Sequence, residues 1–441
     1  MAYVPHTASE RKEMLERLGI DGVQALFADI PPSARMTRDL NLPSGLSEWQ
    51  VQDRMRRLAG RNRSVDDLVS FLGAGSYDRF IPAAVAHLAS RGEFQTAYTP
   101  YQPELSQGTL AAIFEFQTMI ASLTGMDAAQ ASLYDGASAA AEAALLAMAA
   151  TGRPVIGLAR TLNPDVRQVV STYVKAKGGV VELMDHAEAP IRDGSELAAV
   201  IWPYPDVLGG LTQFPQAMER ARAHGALGVC YADPVALALL KPPGDLGAEV
   251  VVGEGQPLGQ SLQYGGPGFG FFAVKSKWVR RMPGRIVGAT RDRKGRRGFV
   301  LTLQAREQHI RRDKATSNVC SNHSLNALKA TIYLALLGPA GLRRIAQLSV
   351  NKAHYLQKRL AQIGLRRLSE EPFLFEFSVL VPGSVASLNR WLLSRGMLGG
   401  VDLGAWDPLW ANGWQLAVTE KRTKEEMDRL VEEVQAWIES R

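Results

Sequence analysis

The sequence is poor in cysteine and in long apolar runs, and each shortage excludes a class of protein. Two cysteines in 441 residues cannot build a disulfide framework or a multi-thiolate zinc site, and we expect Cys230 and Cys320 to be packed thiols. No window reaches the ~18 consecutive apolar residues of a membrane span, and the N-terminus lacks the apolar run of a signal peptide. The sequence therefore predicts a cytoplasmic protein that enters no membrane.

The chain carries a formal net charge of +6, but its cations form no long tract. The densest run, residues 291–297, contains a glycine and stands between apolar segments, so it predicts an exposed turn rather than a nucleic-acid site. Lysine is scarce, because only 13 of the 50 basic residues are Lys. A site that needs a lysine amine can therefore be sought position by position.

Neither a metal site nor a hydrolase nucleophile is visible. The seven histidines show no HExxH spacing, and no serine lies in a GxSxG motif. The glycine-rich stretch 253–259 follows a predicted strand but opens no long helix, which favours a structural loop over a dinucleotide-binding turn. We therefore predict no bound metal and no nicotinamide cofactor.

Alternating helical and strand patterns predict an α/β protein in three parts. Residues 1–92 show helical spacing with short interruptions and are expected to form an N-terminal helical arm. Residues 93–322 contain short apolar strands separated by helices, which predicts a large domain with a mostly parallel sheet covered on both faces. Residues 323–441 combine helices with a half-exposed strand at 373–379 and are expected to form a small C-terminal α+β domain.

Polar residues gather in one loop, which precedes a helix that ends at Gly125. We expect that helix to be buried on one side. The side chains concerned are those of Tyr98, Thr99, Tyr101, Gln102 and Glu104. Such a density of donors and acceptors is costly to bury without partners. A ligand-lining loop and a surface turn that caps the helix both remain open.

A second polar segment supplies cations and hydroxyls suited to a carboxylate or a phosphate. Its candidate residues are Arg311, Arg312, Thr316, Ser317 and Asn318. A solvated helix face is the alternative for the segment, and a cap for the following helix is the alternative for Thr316 or Ser317.

A turn formed by Asp135, Gly136 and Ser138 opens an alanine-rich helix, which is also expected to be buried on one side. Free N–H groups and the positive end of the helix dipole attract a phosphate at such a place. Asp135 is equally suited to be the N-cap of a buried helix. Both interpretations remain open on the residues alone.

Six runs occur in order along the chain: SFLGAGSYD at 70–78, the polar loop at 98–104, FEFQT at 114–118, YDGA at 134–137, MPGRIVG at 282–288 and QHIRR at 308–312. Together they resemble the glycine decarboxylase (P-protein) family of the glycine cleavage system, specifically subunit 1 of its split two-subunit form. The resemblance covers nearly the whole chain. It implies the aspartate-aminotransferase-like fold, fold type I of the enzymes that use pyridoxal phosphate (PLP).

Enzymes of this fold hold PLP as an imine on a lysine that follows a late strand of the large domain. No lysine occurs between Lys241 and Lys275, and Gln256 stands near the required place. A carboxamide cannot form an imine. Asp233 falls roughly where related enzymes keep the acid that pairs with the pyridine nitrogen, with a simple Asp-Pro turn as the alternative. The resemblance thus implies a chain with no covalently bound cofactor and no catalytic residue of its own.

The resemblance further implies a homologous second subunit that carries PLP, in an α2β2 heterotetramer. That assembly converts glycine and the lipoyl group of H-protein into carbon dioxide and the aminomethylated lipoyl protein. The loop at 98–104 would form part of the active-site wall, and residues 311–318 would contact the cofactor phosphate or the substrate across the interface. The turn at 135–138 would be a vestigial phosphate site.

Two other functions are weighed against this one. The chain could be a purely structural or docking subunit that touches no reacting atom. It could also be a self-sufficient PLP enzyme that uses Lys314 or Lys275.

Overall fold

The structure, a computed structural model, describes residues 5–36, 38–95, 99–191, 193–264 and 266–441. Tyr98, one of the predicted wall residues, lies outside the described residues. The chain divides into two compact units, Met1–Asn62 and Arg63–Arg441. The domain boundaries expected after residues 92 and 322 stay predictions.

The first unit contains α1 (Ala8–Leu18) and α2 (Glu48–Ala59). Capping boxes start both helices, with Thr7 and Ser47 as the N-caps. Every residue of the two helices is at least partly exposed. The unit is therefore helical but contributes no core of its own through these helices.

The second unit holds the remaining elements. Its helices are α3 (Ala83–Ala89), α4 (Gly92–Gln95), α5 (Gln107–Thr124), α6 (Gly136–Thr151), α7 (Pro164–Ala176), α8 (Gln213–Ala223), α9 (Gln308–Arg311), α10 (Ser324–Gln362), α11 (Val385–Ser394) and α12 (Lys424–Glu439). Its strands are β1 (Val69–Ser70), β2 (Ala128–Ala129), β3 (Val155–Ala159), β4 (Val180–Met184), β5 (Leu197–Tyr204), β6 (Leu227–Ala232), β7 (Val250–Glu254), β8 (Gly270–Val274), β9 (Ile286–Arg291), β10 (Arg297–Thr302), β11 (Glu376–Leu380), β12 (Met397–Leu398), β13 (Val401–Asp402) and β14 (Gly413–Ala417).

A central sheet organises the second unit. Its described strands run in the order β2-β8-β7-β6-β5-β3-β4. The pairs from β4 to β7 are parallel, and β8 and β2 are antiparallel additions at one edge. Strand β5 is buried along its whole length, because helices α6 and α8 both pack against it. The predicted mostly parallel, covered sheet is confirmed.

Burial differs from the prediction in two elements. Helix α6 is buried nearly all round rather than on one side, because β5, β7, β8 and α7 all contact its small alanine side chains. Strand β11 is not half-exposed, since Glu376 and Ser378 on its second face are buried as well as its apolar residues. The segment around Ala74 and Tyr77 covers that face through hydrogen bonds to Glu376.

Helix α10 joins the large sheet region to the C-terminal elements and kinks at Gly338, whose φ is 59° and which precedes Pro339. By length and composition, α10 could cross a membrane. It packs instead against α3, α5 and α12, as the core helix of a soluble protein does.

The basic run and the cysteines have different outcomes. Strands β9 and β10 form an antiparallel hairpin, and its turn at residues 292–296 is exposed, so the predicted exposed turn is confirmed.

Cys230 is buried, as predicted, but Cys320 is exposed. The prediction of a packed thiol is therefore wrong for Cys320, because it lies in an irregular surface segment before α10.

Candidate active site

The loop that precedes α5 presents its polar side chains to solvent. Tyr101 is 46% exposed, and Gln102 and Glu104 are also exposed. Thr99 is half-buried, and its hydroxyl has no hydrogen-bond partner among the described residues. Gln107 fastens the base of the loop, because its side chain donates to and accepts from one backbone residue of β10 at 2.9 and 2.8 Å. The loop is anchored at its base and open at its tip.

The second predicted segment lies mainly on the surface. Arg311, Arg312, Thr316 and Asn318 are exposed. The Nε of Arg311 donates to the carbonyl oxygen of Ala305 at 3.0 Å. The segment thus offers charge and hydroxyl groups at the protein surface.

Ser317 differs from its neighbours because it is used within the chain. Its oxygen accepts the N–H of Val319 at 3.1 Å, and it is hydrogen-bonded to the buried carboxyl of Glu142 on α6. Burial raises the pKa of Glu142 to about 7, and the bond to Ser317 opposes that rise. Neither Thr316 nor Ser317 caps α10, since its N-cap is His323 and no side chain caps it. The capping alternative is therefore wrong.

Tyr101 contacts both His309 and Arg285. The ring of Tyr101 lies 5.5 Å from that of His309, and the guanidinium of Arg285 lies 5.7 Å from the centre of the Tyr101 ring. Arg285 is buried and donates to Asn322 Oδ1 at 3.2 Å and to Cys320 O at 3.0 Å. Arg285 therefore connects the loop before α5 with the residues that precede α10.

Reasoning from the sequence missed this connection. Arg285 lies in the run at 282–288 that carried part of the family resemblance, but no chemistry was assigned to it. Asn322 donates to Ala131 O at 3.2 Å and to Ser132 Oγ at 3.0 Å, and Tyr134 accepts the N–H of Cys320 at 3.1 Å. The available signal was an arginine in a run that also contains proline and glycine.

A cavity of about 520 Å³ adjoins the start of α10 and one face of α5. This volume is within the usual range for ligand pockets. Its lining includes Phe94, Gln95, Thr109, Ile113, His323 and Asn326.

Gln256, near the place expected for a cofactor lysine, is held by the backbone. Its Oε1 accepts the N–H of Tyr77 at 3.0 Å, and its Nε2 donates to Tyr77 O at 3.2 Å and to Gln260 O at 2.8 Å. The adjoining cavity of about 60 Å³ is lined by no lysine or arginine of the described residues. That volume accommodates roughly four water molecules. Gln256 therefore serves as a clamp between two segments of backbone.

Asp233 lies on the wall of the same cavity. Its carboxylate accepts the N–H groups of Val235 and Ala236, both at 2.8 Å, so the Asp-Pro turn is present. The hydroxyl of Tyr77, on the same wall, donates to Glu376 Oε2 at 2.9 Å. Burial raises the pKa of Asp233, and it raises the pKa of Glu376 to about 7.

The N-terminus of α6 is occupied by carboxylates of the chain itself. Asp135 is the N-cap, since it accepts the N–H of Ser138 at 2.7 Å and its own N–H donates to Ser138 Oγ at 3.2 Å. The N–H of Gly136 donates to Glu254 Oε2 at 2.9 Å. The N-cap interpretation of Asp135 describes this turn.

The residues of this pocket do not fit PLP. The cofactor needs an amine for the imine, an acid for its pyridine nitrogen, and donors for its phosphate, which helix N-termini commonly supply. Of these only Asp233 is present, and its Oδ1 already accepts two backbone N–H groups. Gln256 stands near the place of the amine, and the N–H of Gly136 is bonded to Glu254. No chemical step is therefore assigned to a cofactor in this pocket.

The sequence matches the family described as "Glycine cleavage system P-protein" over residues 1–434. Two similar proteins are the "Probable glycine dehydrogenase (decarboxylating) subunit 1" of Desulforamulus reducens and that of Moorella thermoacetica. Each is 50% identical to this chain, and each comparison covers 98% of this chain and 98% of the relative.

Solved structures give the same picture. Glycine decarboxylase (P-protein) of the glycine cleavage system, in inhibitor-bound form, matches with a TM-score of 0.91 at 43% identity over 99% of this chain and 100% of that chain. Glutamate decarboxylase of Lactobacillus brevis matches with a TM-score of 0.65 at 12% identity over 92% and 96% of the two chains, which shows the fold alone. The predicted fold type I of PLP-dependent enzymes is confirmed.

Proposed function

Because the chain belongs to the P-protein family of the glycine cleavage system, we propose that it is a subunit without a cofactor of its own that completes the active site of a homologous, PLP-bearing partner. Its role lies in the glycine cleavage system, as subunit 1 of a decarboxylating glycine dehydrogenase. The naming of its relatives as subunit 1 implies a partner subunit.

The proposed reaction removes carbon dioxide from glycine and passes the aminomethyl group to the lipoyl group of H-protein. It takes place in an α2β2 heterotetramer in the cytoplasm. PLP, held by the partner subunit, supplies the electron sink for the carbanion. The part of this chain is to bind and orient groups around that centre and to exclude water from it.

The proposal rests on the residues that stand in and beside the chain's own pocket. A carboxamide, Gln256, stands near the place of the imine lysine and makes three hydrogen bonds to backbone atoms. The adjoining cavity is lined by no lysine of the described residues. A P-protein chain with such a pocket needs a second chain to carry the amine.

The proposed wall consists of the loop at 98–104 and the segment at 311–318. The contact between Tyr101 and His309 supports a joint role, because His309 lies two residues before the segment at 311–318. The exposed guanidiniums of Arg311 and Arg312 can form charge-assisted hydrogen bonds with a phosphate or with the carboxylate of glycine.

The location of the cofactor is tested by reconstitution of the complex. Borohydride reduction followed by mass analysis of both chains should place a pyridoxyl-lysine on the partner. The same adduct on Lys314 or Lys275 of this chain would contradict the proposal and establish a self-sufficient PLP enzyme.

A purely structural or docking subunit is the second candidate, favoured by the use of the Ser317 hydroxyl within the chain. Arg312→Ala in the reconstituted complex separates the two functions. An active-site wall predicts lowered turnover in a complex of unchanged composition. The matched control is Arg293→Ala, which removes an equally exposed guanidinium from the β9–β10 turn. Equal turnover in both variants would favour the structural subunit.

A further inference from the structure

Three backbone N–H groups converge on the carboxylate of Glu254, the last residue of β7. Gly136 donates to Oε2 at 2.9 Å, while Gln256 and Phe269 donate to Oε1 at 3.0 and 3.1 Å. Burial raises the pKa of this carboxyl, and the three N–H groups oppose that rise. Glu254 is therefore held by three amide dipoles.

These donors lie where proteins commonly bind an anion. Gly136 is the first residue of a helix of 16 residues, whose N-terminus carries a partial positive charge. Backbone N–H groups at a helix N-terminus are a common phosphate site in proteins. Here the side chain of Glu254, from strand β7, occupies this site.

The neighbouring part of the pocket is also closed by buried side chains of this chain. Tyr77, Asp233 and Glu376 line the same small cavity, and the phenol of Tyr77 donates to Glu376 Oε2 at 2.9 Å.

We infer that the carboxylate of Glu254 takes the place of a cofactor phosphate in this pocket. The pocket is closed by the chain's own side chains, so the lack of a lysine is not the only barrier to PLP. The inference concerns this chain's own pocket and does not depend on whether the loop at 98–104 acts in the partner's site.

Glu254→Ala tests this inference with inorganic phosphate as the probe. Removal of the carboxylate frees three converging N–H groups, so phosphate should bind the variant at least tenfold more tightly than it binds the parent chain. Calorimetry and the melting temperature in phosphate against chloride at equal ionic strength measure this. Glu219→Ala, which removes an exposed carboxylate on α8, is the control and should respond as the parent does. A folded Glu254→Ala chain with no gain in phosphate affinity would overturn the inference.

The variant could be too unstable to isolate in chloride buffer. The refolding yield in phosphate then takes the place of the affinity. We expect phosphate to rescue the yield of Glu254→Ala several-fold, while an equal yield in the two salts would count against the inference.

Gln256→Lys tests whether Glu254 remains a barrier to PLP once a lysine is present. With Glu254 in place, the restored amine should capture little PLP, measured as pyridoxyl-lysine after borohydride reduction. Gln256→Lys combined with Glu254→Ala should capture at least tenfold more. Equal capture by the single and the double variant would show that the lysine alone was missing.

Discussion

At the scale of single residues, several buried carboxyl groups without a paired cation dominate the expected titration of this chain. Burial raises the pKa to about 7 for Glu142, Asp206, Glu254 and Glu376. Asp407 shows the opposite case, because the N–H of Leu409 and the guanidinium of Arg160 lower its pKa. Proton uptake on folding is therefore expected near neutral pH.

Glu142→Gln is expected to make the stability less dependent on pH. The folded-state pKa of about 7 is above the ordinary value of 4.5, so the stabilisation from this group is complete below that value and is lost as the pH rises through 7. Between about pH 5 and 8 the free energy of unfolding of the parent should fall by about 2 kcal/mol relative to the variant. Urea unfolding across this range measures the difference.

The exposed carboxyl of Glu219 supplies the control for this experiment. Glu219→Gln should keep the pH dependence of the parent, since its side chain is 75% exposed. The same dependence in Glu142→Gln would show that the Glu142 carboxyl is ionised throughout, with Ser317 and Lys177 outweighing its burial.

Gly136→Ala is expected to destabilise the chain, although alanine is the better helix former. An added Cβ would lie 2.6 Å from Tyr231 Oη and 2.7 Å from the N of Glu254, so α6 would have to move away from β7. We expect a loss of about 1–3 kcal/mol. Gly108→Ala on α5 is the control, because nothing lies within 4 Å of its added Cβ. A loss equal to that of the control would show that the two elements can separate without cost.

Between elements, buried ion pairs fasten the turn after Tyr77 to the segment before α12. Arg79 Nη1 lies 2.8 Å from Glu420 Oε2, and the two side chains are 2% and 8% exposed. Asp78 lies 2.6 Å from Lys421 Nζ and 3.0 Å from Arg422 Nη2. These contacts hold Tyr77 where it reaches Glu376.

Glu420→Gln is expected to lower the free energy of unfolding by about 3 kcal/mol, because it leaves a buried guanidinium without its counter-ion. Two further nitrogens of Arg79, Nε and Nη2, already lack partners among the described residues. Chemical denaturation compares this variant with Glu219→Gln, whose pair with Arg222 is exposed and should contribute less than about 1 kcal/mol. A small loss in both would mean that water or a neighbouring group replaces Glu420.

At the scale of the whole molecule, the proposed function puts the surface segment at 311–318 against a partner's cofactor. Thr316 is exposed, and its hydroxyl can donate to a phosphate held by another chain. Ser317 is turned toward Glu142 instead. The two hydroxyls, equivalent by sequence, therefore have different expected roles.

Thr316→Ala is expected to leave the assembled complex intact and to raise the dissociation constant of PLP at the partner's site. A hydrogen bond to a charged group is worth about 1.5–3 kcal/mol, which corresponds to roughly one to two decades in affinity. Release of PLP from the purified complex during dialysis measures the change. Thr172→Ala, at an exposed position on α7, is the control. Equal release from both complexes would show that Thr316 does not reach the phosphate.

Much of the fold could be predicted because its signals are local. Strand β4 begins and ends at its predicted residues, Val180 and Met184, since an apolar run follows a glycine pair. Gly125 and Gly152 end α5 and α6 in the left-handed conformation, which glycine adopts without strain. The errors concern burial, as in α6 and β11, because burial depends on which elements cover a segment.

The candidate site could be predicted only in part, for the same reason. The sequence identified Tyr101 and the segment at 311–318 as polar, but it did not reveal Arg285, which lies against the Tyr101 ring and donates to Asn322 and Cys320. A side chain that joins two loops has no periodic pattern around it. Its role becomes visible only when the loops are placed in space.

The sequence by itself determined that this chain cannot form the imine near position 256, because the absence of an amine is a property of one residue. It also determined the alternating elements and hence the mostly parallel sheet. Only the tertiary structure decided what fills the pocket in place of a cofactor. The bond between Gly136 and Glu254 joins residues 118 apart, and Tyr77 meets Glu376 across 299 residues. Such contacts follow from the order of strands in the sheet, which brings distant segments to one edge whatever their local sequence.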